Sequence, residues 1–354
     1  MRILQIVPHL PPPSEGVGTY ALALARMLDA RWGLRSSFLV GDPAWREGPE
    51  SHPFPAAPVT ERCPEALAGS LAEAAGKGAA VLVHYANYGY QRRGCPVWLV
   101  EGIARWRRRS PDGRLVTAFH EVYASGSPWQ SSFWLLPRQR RLAATLARLS
   151  GALVTSLERY GEMIRPWVQD REVFVMPVFS TVGEPEMVRP FAERARRIVV
   201  FGGAGVRRRT YERFLPALEA AVRTLEAEEI WDIGPRIQLP ARAGGAPVRH
   251  LGVLSEGEVS EILLDSAAGF LAYPPAFLPK STIFAAYCAH GALPVCAWDR
   301  HPADGVPAAG RHYWTGSGDP QAIASAARDW YAGHSLVRQA EIFRRLLNGS
   351  GEGA

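Results

Sequence analysis

Lys280, Ser281 and Thr282 stand at the head of an apolar run, Ile283–Ala289, that closes on His290 and Gly291. Ser281 has the side chain of a helix N-cap and Gly291 is a suitable C-terminal stop, so the spacing predicts a short buried helix between them. The start of such a helix offers amide protons, the positive end of the peptide dipoles, two hydroxyls and an ammonium group. Together these suit a diphosphate. Ordinary capping accounts for the same side chains. Composition also singles out Lys280: the chain has 40 lysines and arginines, yet only Lys77 and Lys280 are lysine.

A second phosphate-type segment runs Phe201-Gly202-Gly203-Ala204-Gly205-Val206-Arg207-Arg208-Arg209. Its glycines admit close backbone approach, and guanidinium forks match phosphate oxygens. A solvated basic turn would read the same way. Near the start, His9-Leu10-Pro11-Pro12-Pro13-Ser14-Glu15-Gly16-Val17-Gly18 leads from an apolar run into a helical pattern, and Gly16 and Gly18 would let a ligand approach the next helix. Gly16 through Ala21 also fits a dinucleotide fingerprint, with Asp42 downstream. In that fold the glycines follow the strand directly, whereas here a stiff proline loop intervenes, and a plain tight turn remains open.

His120 ends the apolar run Val116–Phe119, where an imidazole can donate to a sugar hydroxyl or a phosphate; a structural histidine is an equal reading. There is no Asp-x-Asp and no His/Cys cluster with metal-ligand spacing, so no metal site is expected. Charge on a leaving diphosphate would then be met by Arg, Lys and helix dipoles.

These residues need elements to hold them. Apolar runs at Ile3–Val7, Ser37–Val40, Ala80–Val83, Leu115–Phe119, Leu153–Thr155 and Val173–Met176 predict one series of buried strands. Ile198–Phe201, Ile230–Ile233, Val248–Leu251, Gly269–Ala272 and Pro294–Ala297 predict a second. Helical faces lie between them: Ala21, Leu24, Ala25 and Leu28, then Leu215, Leu218, Val222 and Leu225, and a further one at Val259, Ile262 and Leu263. Alternating strands and helices imply α/β doubly wound parallel sheets. The polar, proline-bearing stretch Ser180–Arg197 reads as the linker between two such domains, expected at 1–185 and 186–335, with a helix at 336–350 able to pack back on the first. Two lobes facing across a cleft would share a ligand crevice at the carboxyl ends of their strands.

The 354 residues are 47% apolar and 21% charged, an ordinary globular composition with no run long enough to span a membrane. Met1–Val7 reads as a first strand and not as a signal peptide. Cys63, Cys95, Cys288 and Cys296 show no disulfide framework, which fits a reducing, cytoplasmic location. The net charge of +6 comes from arginines scattered among acids, so no nucleic-acid partner is expected. Arg105-Trp106-Arg107-Arg108-Arg109 and the Phe133–Arg141 stretch read first as solvated helix faces, with peripheral membrane contact as the alternative.

In their order along the chain these segments resemble the retaining GT-B glycosyltransferase superfamily that includes glycogen synthase and the mannosyltransferases of lipid and polysaccharide assembly. Met1–Pro8 with Gly16-Val17-Gly18 is similar to its opening strand and glycine loop. Thr117–Glu121 resembles its Thr-x-His-Asp segment, and Ala152–Ser156 and Val175-Met176-Pro177 resemble later elements of the first lobe. Phe201–Ala217 is similar to its Gly-Arg…Lys-Gly segment, His250–Leu254 through Gly269–Leu271 to its nucleobase-side unit, and Gly291–Val295 with Gly318-Asp319-Pro320 to its closing signatures. The family's donor-site arginine corresponds to Ala204, its lysine to Arg209, and its Glu-x7-Glu pair to Leu278 and Ala286, neither of them acidic.

The resemblance implies an acceptor-side first domain and a nucleotide-sugar-binding second domain. It implies transfer of a sugar from a nucleoside-diphosphate sugar, as substrate and without a cofactor, to an acceptor the sequence does not specify, with retention. Arg209 and Lys280 would neutralise the diphosphate; Ser281, Thr282 and the amides of Gly202 and Gly203 would add hydrogen bonds. Gly16 and Gly18 would lie beside the donor, Val253 on the nucleobase side, and His120 would position the sugar. A catalytically silent partner protein is the alternative from another class. Epimerisation or non-glycosidic coupling on a sugar nucleotide, and a dinucleotide-dependent oxidoreductase, stand behind it.

Overall fold

The computed structural model describes residues 2–11, 16–46, 52–75, 79–124, 131–302 and 305–349. Pro12–Glu15 of the first connection, and Lys77, lie outside them. The chain divides into two compact units, Met1–Pro177 with Val337–Ala354, and Val178–Leu336.

Among the described residues the first unit has seven strands: β1 (Arg2–Val7), β2 (Arg35–Val40), β3 (Ala56–Pro58), β4 (Ala80–Tyr85), β5 (Arg114–Phe119), β6 (Ala152–Thr155) and β7 (Val173–Val175). They form one sheet in the order β3-β2-β1-β4-β5-β6-β7, every pair parallel. Its helices are α1 (Gly16–Trp32), α2 (Pro64–Ala75), α3 (Asn87–Tyr90), α4 (Val97–Arg109), α5 (Ser131–Leu149) and α6 (Glu158–Val168). All six residues of β4 are buried, as covered parallel strands require. The sequence reading missed β3, a three-residue edge strand that ends in proline and carries no periodic signal. Trp106 is buried, so the arginine-rich end of α4 does not present it outward.

The second unit has β8 (Ala195–Phe201), β9 (Glu229–Ile233), β10 (Arg242–Ala243), β11 (Ala246–Gly252), β12 (Ser266–Ala272) and β13 (Leu293–Ala297), in the order β10-β11-β9-β8-β12-β13. Five strands are parallel, while β10 folds back antiparallel on β11. This sheet is therefore mixed, where an all-parallel sheet was expected. A two-residue strand is too short to announce itself in sequence. Its helices are α7 (Ala204–Arg213), α8 (Leu215–Thr224), α9 (Glu256–Asp265), α10 (Thr282–Ala289) and α11 (Pro320–Ala332). The last helix, α12 (Leu336–Asn348), belongs almost wholly to the first unit: Gln339 accepts from the Tyr20 hydroxyl (2.9 Å) and donates to Pro177 O (2.6 Å).

Residues 180–197, read from sequence as a linker, lie inside the second unit. Buried Arg194 ties them there, donating to the carbonyls of His290 (2.8 Å), Ser266 (3.2 Å) and Leu263 (3.4 Å). Burial pulls its guanidinium down to about 10. The amide of Val178 reaches Pro279 O at 2.7 Å.

Both units have the strand order in which neighbouring strands diverge at a switch point, β1 from β4 and β8 from β12. Carbonyls beyond the last paired rungs lose their partners there and need donors. A buried tyrosine serves each crevice. Tyr90 of α3 sets its hydroxyl 2.9 Å from Ile6 O and 3.0 Å from His84 O, its ring lying where a Cβ on Gly41 would fall. Tyr287 of α10 sets its hydroxyl 3.1 Å from Val199 O and 3.2 Å from Phe270 O, over Gly269. Removing either hydroxyl leaves two buried carbonyls unmet, so Tyr90→Phe and Tyr287→Phe should each lower stability by about 1–3 kcal/mol in urea unfolding of the full chain. An unchanged midpoint would mean that water reaches these carbonyls and the clamps are dispensable.

Candidate functional site

In the second unit the clamp of Tyr287 places α10 across the β8/β12 crevice, and its N-terminus falls beside the turn leaving β8. Gly202, at φ +127°, sits so close that a Cβ there would be 2.5 Å from Ile283 Cδ1 in the first turn of α10. Gly202 is thus required by backbone conformation as well as by proximity. Gly203 is different: it is the N-cap of α7 at φ −64°, and a Cβ there would meet nothing within 4 Å. The starts of α7 and α10 therefore lie close together, joining two sets of first-turn amides at one crevice.

Ser281 is buried and caps α10, its Oγ accepting from Phe284 N at 3.2 Å. Its hydroxyl oxygen is thereby engaged locally. Thr282 is the first residue of α10 and half-buried. Lys280 ends the 3-10 turn Pro275–Lys280 just before the cap, with Nζ 5.9 Å from the centre of the Phe277 ring.

The arginine triplet divides three ways. Arg207 is fully buried and forks onto Asp232, with Nε 3.0 Å from Oδ2 and Nη2 on Oδ1, while Nη1 reaches Pro235 O at 2.6 Å. Tyr211 (3.0 Å) and His250 Nδ1 (3.0 Å) complete the ring around Asp232. This pair is structural; removing one partner would leave an uncompensated buried charge at a cost of about 3–5 kcal/mol. Arg208 points outward toward Glu212 at 3.8 Å. Arg209 is half-buried, with Nη1 3.4 Å from Ala272 O at the carboxyl end of β12 and its guanidinium 5.6 Å from the Trp298 ring. One turn of helix thus separates a structural, a solvated and a crevice arginine.

Gly202, Gly203, Arg209, Lys280, Ser281 and Thr282 accordingly lie around one crevice. Two glycines that the sequence reading did not single out as site residues extend the row, Gly252 having entered only within the segment His250–Leu254. A Cβ on Gly234 (φ +143°) would collide with Gly202 O, and Gly234 N donates to Gly252 O (2.7 Å), itself at φ +78°. Positive φ leaves no trace in sequence beyond the glycine itself. Val253 follows Gly252 at the far end of this row, 74% exposed.

The first unit holds Gly16, Gly18 and His120. The glycines lie in the opening turn of α1, inside the helix where a loop was expected. Gly18 is needed for packing, since a Cβ would strike the His9 carbonyl; around Gly16 there is nothing within 4 Å. Asp42 is engaged by His9 (3.5 Å) and Arg62 (3.7 Å). His120, half-buried at the end of β5, rests edge-on against Tyr20 of α1, ring centres 5.0 Å apart.

Behind His120 runs a buried polar chain. Ser36 Oγ accepts from Gln5 Nε2 (2.9 Å), Gln5 Oε1 faces His84 Nε2 (2.8 Å), and His84 Nδ1 faces His120 Nε2 (3.1 Å). Burial, with His120 adding to it, pulls His84 well below its usual value and keeps it neutral. With its single proton on Nε2 toward Gln5, His84 must accept at Nδ1, so His120 donates from Nε2. Gln5 and His84 were legible as polar interruptions in the apolar runs of β1 and β4, a signal the sequence reading did not use.

Among the described residues no group of three or more His, Cys, Asp or Glu could hold a metal ion, and no helix is long and apolar enough to cross a membrane. All four cysteines are free thiols.

No protein-family model matches the sequence, and neither does any curated protein. Solved structures do. A structure of TarM covers 98% of this chain and 99% of its own at TM-score 0.60 and 8% identity. An alpha-glucosyltransferase in complex with UDP and a 13-mer DNA containing a HMU base covers 99% and 100% at 0.58 and 11%. The trehalose-6-phosphate synthase OtsA covers 98% and 99% at 0.54 and 11%. The chain has the GT-B glycosyltransferase fold.

The two crevice glycines separate experimentally. Gly202→Ala forces a side chain into a region reserved for glycine and should cost about 1–3 kcal/mol, while Gly203→Ala should be nearly neutral. Thermal unfolding of both variants checks this; equal losses would contradict the backbone geometry at Gly202.

Proposed function

We propose that the chain is a glycosyltransferase that moves a sugar from a nucleoside-diphosphate sugar to an acceptor, with retention and without a bound metal. The observation that carries this reading is the second-unit crevice, where two helix starts, a glycine turn, Arg209 and Lys280 converge at a sheet switch point. Arg209 and Lys280 neutralise the diphosphate, and the amides of Gly203 and the first turn of α10 donate to its oxygens. Thr282 adds a hydroxyl, whereas Ser281 contributes mainly by holding the turn. Val253 supplies an apolar edge to the base. UDP is the first nucleotide to test, because the alpha-glucosyltransferase of like fold was solved with it.

In the first unit, His120 positions the transferred sugar, with Gly16 and Gly18 at the start of α1 beside it. Because His84 takes the Nε2–H, the tautomer of His120 is set from within the sheet. The charge that develops on the leaving diphosphate is met by Arg209, Lys280 and the helix starts, work that a magnesium ion does elsewhere. The sequence has no Asp-x-Asp to hold such an ion.

One observation favours a silent partner protein instead. Leu278 and Ala286, at the positions of the superfamily's glutamate pair, are both fully buried, so no side chain there reaches a ribose. The two readings part on turnover. Lys280→Ala should weaken UDP binding by about 1.5–3 kcal/mol in calorimetry, while His120→Ala leaves UDP affinity alone and lowers turnover by about 10²-fold. Nucleotide binding with no transfer to any acceptor would favour the partner protein. No nucleotide binding would remove the donor site.

Metal independence is tested separately. Turnover should persist in excess EDTA; activity abolished by chelation and restored by manganese would overturn the metal-free site.

A further inference from the structure

Arginines and acids are interspersed along most of the chain, but one stretch carries a positive excess. Between Arg92 and Arg148 there are eleven arginines against Glu101, Asp112 and Glu121, an excess of eight in a chain whose net charge is +6. Part of that excess converges on a groove of ≈ 540 Å³ along α5 in the first unit. Helical spacing sets Leu136, Arg140 and Arg148 on one line with Arg141 beside them, and Tyr123 and Trp167 form the facing wall, their ring centres 6.1 Å apart. Among the described residues no carboxylate lines the groove.

The guanidiniums of Arg140, Arg141 and Arg148 make no ion pair among the described residues, although Arg165 on neighbouring α6 pairs with Glu158. Arg171 brings a further positive charge to the end of α5, its Nη1 and Nη2 each 3.2 Å from Arg148 O. Like charges crowded on a concave surface raise one another's energy, and a multiply charged anion relieves it. Guanidinium forks match the oxygens of phosphate, and three of them suit a doubly charged group better than a carboxylate. The aromatic wall offers a face to a ring attached to that phosphate.

We propose that this groove is a binding site for a phosphate-bearing ligand, held by Arg140, Arg141 and Arg148 and walled by Tyr123 and Trp167. The site lies within the first unit and does not rest on the donor reading of the second. Phe133 and Trp134 are exposed at the start of the same helix, so the phosphate can belong to a lipid headgroup or to a soluble ester.

Three full-length proteins distinguish the cases, all carrying Lys280→Ala so that the diphosphate crevice proposed for the second unit is weakened equally in each: the Lys280→Ala parent, the same chain with Arg140, Arg141 and Arg148 changed to Gln, and a charge-matched control with Arg92, Arg108 and Arg109 changed to Gln. Each is titrated with inorganic pyrophosphate, with phosphatidylcholine vesicles with and without phosphatidylglycerol, and with a single-stranded DNA oligonucleotide. Circular dichroism verifies that each variant is folded. The groove variant should lose at least about tenfold in affinity for pyrophosphate or for the anionic vesicles relative to the Lys280→Ala parent, while the charge-matched control holds that binding. Loss confined to pyrophosphate identifies a soluble ester, and loss confined to the vesicles identifies a headgroup. Three outcomes overturn the proposal: an equal loss in the control, no dependence on the groove arginines, or groove-dependent binding of the oligonucleotide alone.

Discussion

The divergence of two parallel strands creates a crevice and, in the same place, leaves carbonyl oxygens without partners. Both units meet this constraint with one buried tyrosine, Tyr90 over Gly41 and Tyr287 over Gly269. The solution reaches beyond the two carbonyls. A ring that must lie flat against the sheet needs a glycine beneath it, and the helix carrying that ring is then fixed in height and rotation. In the second unit the fixed helix is α10, so the amides at its start, Lys280 before its cap and the contact of Ile283 with Gly202 follow from where Tyr287 is docked. A hydrogen-bond requirement in the core thus sets the geometry of the candidate site at its edge.

The arginines of the second unit show how burial assigns roles to identical side chains. Arg207 completes a closed network with Asp232, Tyr211 and His250, so its charge is fully committed. Arg209, two residues on, is turned through about 200° of helix and reaches the end of β12 instead. The buried network holds α7 against β9, and that attachment lets Arg209 stand at the crevice with no ion pair among the described residues.

The first unit builds its polar apparatus differently, from residues embedded in strands. Ser36, Gln5, His84 and His120 cross β2, β1, β4 and β5 in a single hydrogen-bonded line. A polar residue in each neighbouring strand would be costly alone, and together they satisfy one another. The result is a histidine at a strand end whose inner proton is fixed by a neutral neighbour.

The sequence by itself determined the alternation of apolar strands and amphipathic helices, hence two doubly wound sheets, because burial on both faces writes a continuous apolar run. It also determined the cap at Ser281 and the stop at Gly291, since capping is a local matter of one side chain and one backbone conformation. Tertiary structure alone decided which arginine of 207–209 is buried, that Gly202, Gly234 and Gly252 form one row, that residues 180–197 fold into the second unit, and that Gln5 and His84 stand behind His120. Each of these depends on partners separated in the chain, as by the 25 residues between Arg207 and Asp232, the 79 between Gln5 and His84 and the 96 between Arg194 and His290. A side chain's type announces what it can bond, but only the packing of distant segments decides what it meets.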